Sequence, residues 1–228
     1  MFKQNWNKIN QIKEKDYFYL TAFHYSIIKK IKPRLDRFTK GICLDIGAGN
    51  LVYKTLLDKT RYIAIDRYVT NKDLDVIADI ENLPFLNNSL DTVICMQVLE
   101  HIKKPWRGLE EIYRVIKPEG YVIVSVPHIF YIHGEPEDYF RFTKYGISFL
   151  MKEAGFDVSS IEVSNGFVGF IVSFFQVILL SLCFNIPIIY TIVKRINQII
   201  TILAYRIDEL FGKNGLLATN YICIGKKC

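Results

Sequence analysis

The sequence predicts a doubly wound α/β fold: a mostly parallel seven-stranded sheet, helices on both faces, and a helical hairpin inserted before the last strand. Three observations carry this. Short β-branched runs alternate with helical segments through most of the 228 residues, the signature of a parallel sheet with crossover helices. Carboxylates and glycines fall at the carboxyl ends of the first three runs, where such sheets hold their ligands. One long uncharged stretch, Val163 to Val193, breaks the alternation near the C-terminus.

The elements follow in order. Asp16 to Lys32 places Phe18, Ala22, Tyr25, Ile28 and Ile31 at helical spacing before Pro33, which predicts an N-terminal helix. Ile42 to Ile46 reads as the first strand and ends at Gly47-Ala48-Gly49. Residues 50–58 predict a helix. Tyr62 to Ile65 is a second strand ending at Asp66, Val76 to Ala78 a third ending at Asp79, and Leu90 to Met96 a fourth. Pro105 opens a helix that Lys117-Pro118-Glu119-Gly120 closes. Tyr121 to Val126 is an unbroken β-branched fifth strand, as burial on both faces requires. Thr143 caps a helix that breaks at Gly155. Val158 to Val163 and Asn220 to Ile224 complete the sheet. The organisation is a helical segment over 1–40, an α/β core over 41–165, an apolar and amphipathic insertion over 166–213, and the last strand within 214–228.

Composition narrows the class. Half of the residues are hydrophobic and the net charge is +6. The basic cluster of Lys29, Lys30, Lys32, Arg34, Arg37 and Lys40 reads as a solvated helix face, so a nucleic-acid partner is not expected. None of the five cysteines forms a Cys-x-x-Cys pair, which argues against a disulfide framework or a zinc site, and no metal is expected. Reduced thiols and the polar first 16 residues predict a cytoplasmic protein, or one peripheral on the inner face of the cell membrane.

The strand ends carry the chemistry. Gly47 and Gly49 let the backbone turn sharply against a ligand. A dinucleotide fingerprint needs a third glycine where Val52 stands, and Asp45 just ahead of the loop suits a cationic ligand better than a pyrophosphate. Those two features disfavour a nicotinamide-dependent oxidoreductase. The Asp45-Ile46-Gly47-Ala48-Gly49 run resembles the first motif of class I S-adenosylmethionine-dependent methyltransferases. Asp79-Ile80, Leu83-Pro84-Phe85, Leu90-Asp91-Thr92-Val93, Val98-Leu99-Glu100-His101 and Leu109 through Gly120 resemble the type 11 subgroup, at its spacing, over about residues 40–165. Asn50 replaces the family's third glycine.

The resemblance implies S-adenosyl-L-methionine as cofactor and a role for each matched residue. Asp45 would orient the amino group, or its surrounding water, through the loop. Gly47, Ala48 and Gly49 would meet the cofactor with main chain. Asp66 would accept from the ribose hydroxyls, with Arg67 flanking the adenine. Asp79 would accept from the adenine amine and Ile80 donate to its ring. Met96 and Gln97 would border the sulfonium. His128 and His133, in the His- and Tyr-rich stretch after the fifth strand, are the candidate catalytic bases. Asp138 and Arg141 would pair, and His101 would anchor the following helix.

The insertion points to a membrane. Its uncharged stretch exceeds the about 20 residues that cross a bilayer, but the second arm, with Lys194, Arg195 and Glu209, is amphipathic. The sixth and seventh strands are neighbours in such a sheet, so the chain must return to the side it left. That favours a hairpin in one leaflet, a peripheral contact through 167–211, over packing on the domain or a second subunit. The acceptor expected is a small or lipid-linked molecule, a quinone or a cell-envelope glycan. The rival is a non-catalytic binding or scaffold protein at the membrane.

Overall fold

The computed structural model describes residues 2–9, 19–57, 60–69, 71–211 and 217–228. The chain divides into two compact units, Ile31–Glu162 with Asn220–Cys228, and Met1–Lys30 with Val163–Thr219.

The first unit is built on the sheet. Its strands are β1 (Ile42–Ile46), β2 (Arg61–Asp66), β3 (Val76–Ile77), β4 (Leu90–Met96), β5 (Ile116–Pro127), β6 (Asp157–Val163) and β7 (Asn220–Lys226). Their order is β3-β2-β1-β4-β5-β7-β6. The pairs from β3 through β5 are parallel, and β7 runs antiparallel to β5. The chain reverses direction across the sheet between β1 and β4, which places the switch in strand order beside Asp45, Asp66 and Met96. Leu44, Val93, Ile94, Val122, Ile123 and Val124 are fully buried, each contributing roughly 1.5–3 kcal/mol.

Between the strands, Pro105–Val115 forms a helix that turns Leu109, Ile112 and Val115 inward. The helix Lys144–Glu153 starts on Thr143, whose hydroxyl accepts from the Gly146 N–H at 3.0 Å. The expected helix over 50–58 is absent; among the described residues only a 3-10 turn, Lys54–Leu56, forms there. Successive i to i+3 bonds, Leu51 to Ala48, Lys54 to Leu51 and Leu57 to Lys54, tighten the segment and bury Leu51 and Leu57 without an α-helical turn. Lys117 to Gly120 does not form a separate loop either. The helix ends at Val115 and β5 takes up those residues at once, with an irregular register against Leu90 and Thr92.

The second unit is helical. It holds α1 (Phe2–Ile9), the first half of α2 (Ala22–Phe38), and the hairpin arms Phe167–Cys183 and Pro187–Phe211. In chain order the helices of the α/β unit are α3 (Pro105–Val115) and α4 (Lys144–Glu153), and the arms are α5 and α6. The N-terminal segment and the insertion therefore belong to one body. Pro33 does not end α2 as its position implied. It sits on the exposed side, where water can take the carbonyl that proline leaves unpaired, and Ile31 and Leu35 on either side are fully buried. Residues 16–18 of the expected helix lie outside the described residues.

The hairpin arms are inverted. On α6, Asn197, Thr201, Ala204 and Asp208 face inward, while Ile196, Ile199, Ile200, Leu203, Ile207 and Leu210 face outward. On α5, Ser173, Gln176 and Ser181 are buried, while Phe174, Phe175, Leu179 and Leu182 are exposed. Most of these buried polar groups are paired, while the Ser181 hydroxyl has no hydrogen-bond partner. Gln176 donates to Thr201 at 2.9 Å and accepts from the Ala22 N–H at 2.8 Å. Ser173 accepts from the Phe23 N–H, and Asn5 donates to the Ser181 carbonyl. The Asp208 carboxylate takes three N–H bonds, from Gly166, Val168 and Gly169, at the start of α5.

Candidate functional site

A cavity opens at the carboxyl ends of β1, β2 and β4, within the α/β unit. Its walls include Gly47, Asp66, Arg67, Asp79, Ile80, Gln97 and His101. Strand polarity sets this composition: each parallel strand delivers the residue after its last ladder bond to the same edge.

The turn after β1 depends on Gly47. Its φ is +69°, and a Cβ there would lie 2.4 Å from the Val98 side chain, so any other residue both strains the backbone and displaces Val98. The Asp66 carboxylate ties this loop to β2. One oxygen accepts from the Gly49 N–H at 3.0 Å and the other from the Tyr68 N–H at 3.2 Å. Asp79 Oδ1 accepts from the Glu81 N–H at 2.9 Å, and its Oδ2 lies 3.4 Å from Arg67 Nε. Arg67 also reaches Glu137 at 3.1 Å, which the Tyr68 hydroxyl shares. Arg67 thus links the end of β3 to the loop after β5.

Gln97 stands with φ +58° directly after β4. Its N–H bonds the Ser125 carbonyl, and its side-chain amide donates to Ser125 Oγ at 2.9 Å and to Asn220 Oδ1 at 2.6 Å. Three strands therefore hold one cavity residue in place.

Six of the ten expected cofactor contacts line the cavity: Gly47, Asp66, Arg67, Asp79, Ile80 and Gln97. Asp45, Ala48, Gly49 and Met96 are not on its wall. Asp45 is buried, and the Tyr62 hydroxyl donates to its Oδ2 at 2.5 Å. Burial raises its carboxyl from 3.8 to about 7; the Tyr62 bond opposes the rise and Asp66 adds to it. Gly49 acts through the N–H it gives to Asp66.

Neither candidate base reaches the wall. The His128 ring lies 5.3 Å from that of Tyr221. The His133 ring lies 4.8 Å from that of His101. The Asp138–Arg141 pair is present, bidentate at 2.6 and 2.8 Å. Burial alone would raise Asp138, but the Arg141 bonds and the His133 N–H outweigh it and hold the carboxyl at about 2. His101 does not cap the helix that follows; its Nδ1 meets the Glu137 carbonyl. Two residues escaped the sequence reasoning. Glu137 carries the cavity rim. Glu100, fully buried, has no hydrogen-bond partner on either oxygen; a carboxylate between Leu99 and His101 just past a buried strand was the available signal.

A strand order that switches between β1 and β4, a glycine turn, and carboxylates at the ends of β2 and β3 define a nucleoside-binding α/β domain. Comparison with known proteins gives the class. Residues 44–124 match the family model of the methyltransferase domain, type 11. A tRNA U34 carboxymethyltransferase of Sulfurimonas denitrificans is 33% identical over 81 residues, which cover 36% of this chain and 26% of that one. The ubiquinone/menaquinone biosynthesis C-methyltransferase UbiE of Coxiella burnetii is 28% identical over 98 residues, 43% of this chain and 37% of its own. The fold matches the 1,6-didemethyltoxoflavin-N1-methyltransferase of Burkholderia thailandensis, solved with S-adenosylhomocysteine, at a TM-score of 0.55 and 14% identity, over 90% of this chain and 78% of that one. The chain spans less than half the length of the curated relatives it matches. Residues 44–124 thus carry a methyltransferase domain, and the fold is that of solved S-adenosylmethionine-dependent methyltransferases.

Proposed function

We propose that the protein transfers the methyl group of S-adenosylmethionine to a lipid-borne acceptor of the quinone or lipid-linked glycan type, at the inner face of a membrane. The cavity suits the cofactor. Asp66 would take the ribose hydroxyls. Asp79 would take the adenine amine, the apolar Ile80 side chain would lie against the ring, and the bare main chain at Gly47 would admit the methionine portion. The cofactor supplies an already activated methyl group on a sulfonium. The protein's part is then to hold the acceptor in line and exclude water. Gln97, fixed by Ser125 and Asn220, would set one side of that approach.

The observation that carries the membrane reading is the inverted helical unit. Polar side chains paired inside a bundle, with apolar ones outside, suit a lipid surround. The helix Pro187–Leu210 is long and apolar enough to cross a bilayer by length and composition, but Arg195 is exposed along it. Shallow insertion of the hairpin, with that side chain reaching the headgroups, accommodates both facts.

A transfer RNA acceptor, present in the names of two relatives, has less support. Half of the basic cluster is engaged locally: Lys30 pairs with Glu209, Arg34 with Glu162, and Lys40 donates to the Glu119 carbonyl.

The test is flotation of the protein with phosphatidylethanolamine/phosphatidylglycerol vesicles, followed by transfer of radiolabelled methyl from the cofactor to a membrane lipid extract. Flotation with label in the lipid fraction is expected. Protein left at the bottom of the gradient, with label appearing in added transfer RNA, would overturn the proposal. Calorimetry with S-adenosylmethionine tests the cofactor half separately, and Asp66→Asn should weaken binding on the order of 100-fold by removing charge-assisted acceptors.

A further inference from the structure

We propose that Glu100, His101 and His133 form a binding site for one divalent transition-metal ion of the zinc class, beside the cofactor cavity. Their ligand atoms all lie within 4.8 Å of one another. Glu100 Oε1 is 3.9 Å from His101 Nε2 and 3.7 Å from His133 Nε2. Those separations are too long for hydrogen bonds. They approach the spacing of neighbouring ligands around an ion with metal–nitrogen bonds of about 2.0–2.1 Å.

The decisive point is what each group can offer. His101 Nδ1 meets the Glu137 carbonyl, and His133 Nδ1 meets the Tyr131 carbonyl at 3.3 Å. A carbonyl only accepts, so both Nδ1 atoms carry the ring hydrogen, and in the neutral rings both Nε2 atoms turn lone pairs toward Glu100. Three lone-pair groups thus face one another, and one of them is a fully buried carboxylate with no donor on either oxygen. That arrangement is repulsive unless a cation joins it.

Arg141, whose charge acts on Glu100, is already committed. All five N–H groups of Arg141 are used: Nε on the Phe130 carbonyl, Nη1 on Asp138 and the Phe140 carbonyl, Nη2 on Asp138 and the Tyr131 carbonyl. Asp138, the other charge facing the pair of rings, lies 3.6 Å from His133 Nδ1, on the side away from Glu100. An imidazole that gives its Nδ1–H to a carbonyl and its Nε2 to the ion is the usual support of a metal ligand.

The fold holds this geometry deliberately close. The Glu100 carbonyl accepts from the Tyr139 and Phe140 N–H groups, which clamps the loop after β5 over the site. At Gly134 a Cβ would lie 2.8 Å from the His101 ring, so glycine is what lets the loop bring His133 in. Three protein ligands leave one position open, the count of catalytic rather than structural zinc sites, and His101 is part of the cavity wall.

The inference does not rest on the proposed acceptor, and its test leaves the cofactor site as an internal control. Metal-stripped protein is titrated with Zn2+ by calorimetry, and Co2+ is added separately to read visible absorption. One Zn2+ per chain is expected, with the cobalt bands of a four- or five-coordinate site. His133→Ala and Glu100→Gln should each weaken Zn2+ binding at least 100-fold, while His128→Ala binds as the parent does. Retained S-adenosylmethionine binding reports that each variant is folded. Zn2+ binding that is absent from the folded parent protein, or unchanged in a folded His133→Ala, overturns the proposal in favour of a proton shared between carboxylate and imidazole. Should a variant not fold, the cobalt spectrum of the parent protein decides alone.

Discussion

The two units of this chain solve the same physical problem in opposite senses. In the α/β unit the interior is aliphatic, and charges gather at the strand ends and rim. In the helical unit the interior mixes Ile9, Leu20, Phe23 and Leu180 with Ser173, Gln176, Asn197, Thr201 and Asp208, and phenylalanine, isoleucine and leucine are prominent on the exterior. Both obey one rule: a polar group withdrawn from water needs a partner. What differs is the exterior, which on the helical unit is rich in exposed apolar side chains. The comparison also separates two uses of buried carboxylates. Asp208 is fully engaged by backbone N–H groups and is structural. Glu100 has no donor at all, and Asp45 has its hydroxyl partner Tyr62 yet stays high in pKa.

Asp45 offers the largest expected effect. Its folded value near 7 exceeds the unfolded 3.8, so the folded state holds a proton that the unfolded chain has released. The resulting stabilisation is fully present below about pH 4 and is lost as pH rises to about 7, up to about 4 kcal/mol. Denaturant melts of the parent and Asp45→Asn across that range should show the slope only in the parent. Equal slopes would remove Asp45 as its source.

The helical unit is broken from inside. Asp208→Ala orphans three N–H groups at the start of α5 and should cost about 3 kcal/mol, read as loss of helical signal on heating. Its outward face should behave oppositely. Phe175→Gln, at an exposed position, is expected to leave the melting temperature nearly unchanged, yet reduce vesicle partitioning roughly 10-fold, the scale of one apolar side chain. A large loss of stability from Phe175→Gln would show that this face is covered by protein instead.

Asp138 tests the α/β unit at the acid end. Its folded value of about 2 lies below the unfolded 3.8, so its contribution is present above about pH 4 and lost as pH falls toward 2, about 2 kcal/mol in all. Arg141→Met should abolish that acid dependence. The smallest effect belongs to Arg67. Its links to Asp79 and Glu137 are half exposed, so Arg67→Ala should change stability by under about 1 kcal/mol. A cofactor-affinity loss larger than the stability loss would mark it as a ligand contact.

The sequence by itself determined the strands, their polarity, and the acids at the ends of β2 and β3. Those features follow from short-range patterns: β-branched runs, glycine turns and helix stops act within a few residues. It determined the length of the hairpin arms too, but not which face of each turns inward. Periodicity marks an apolar stripe without saying whether water, lipid or protein lies against it. The tertiary structure alone decided that residues 1–30 and 163–219 form one body, that Asp45 is buried against the Tyr62 hydroxyl, and that His133 comes close to Glu100 and His101. Each of these depends on groups far apart in the chain meeting through space. A carboxylate's role is set by the donors that fold around it, and no local pattern names those donors in advance.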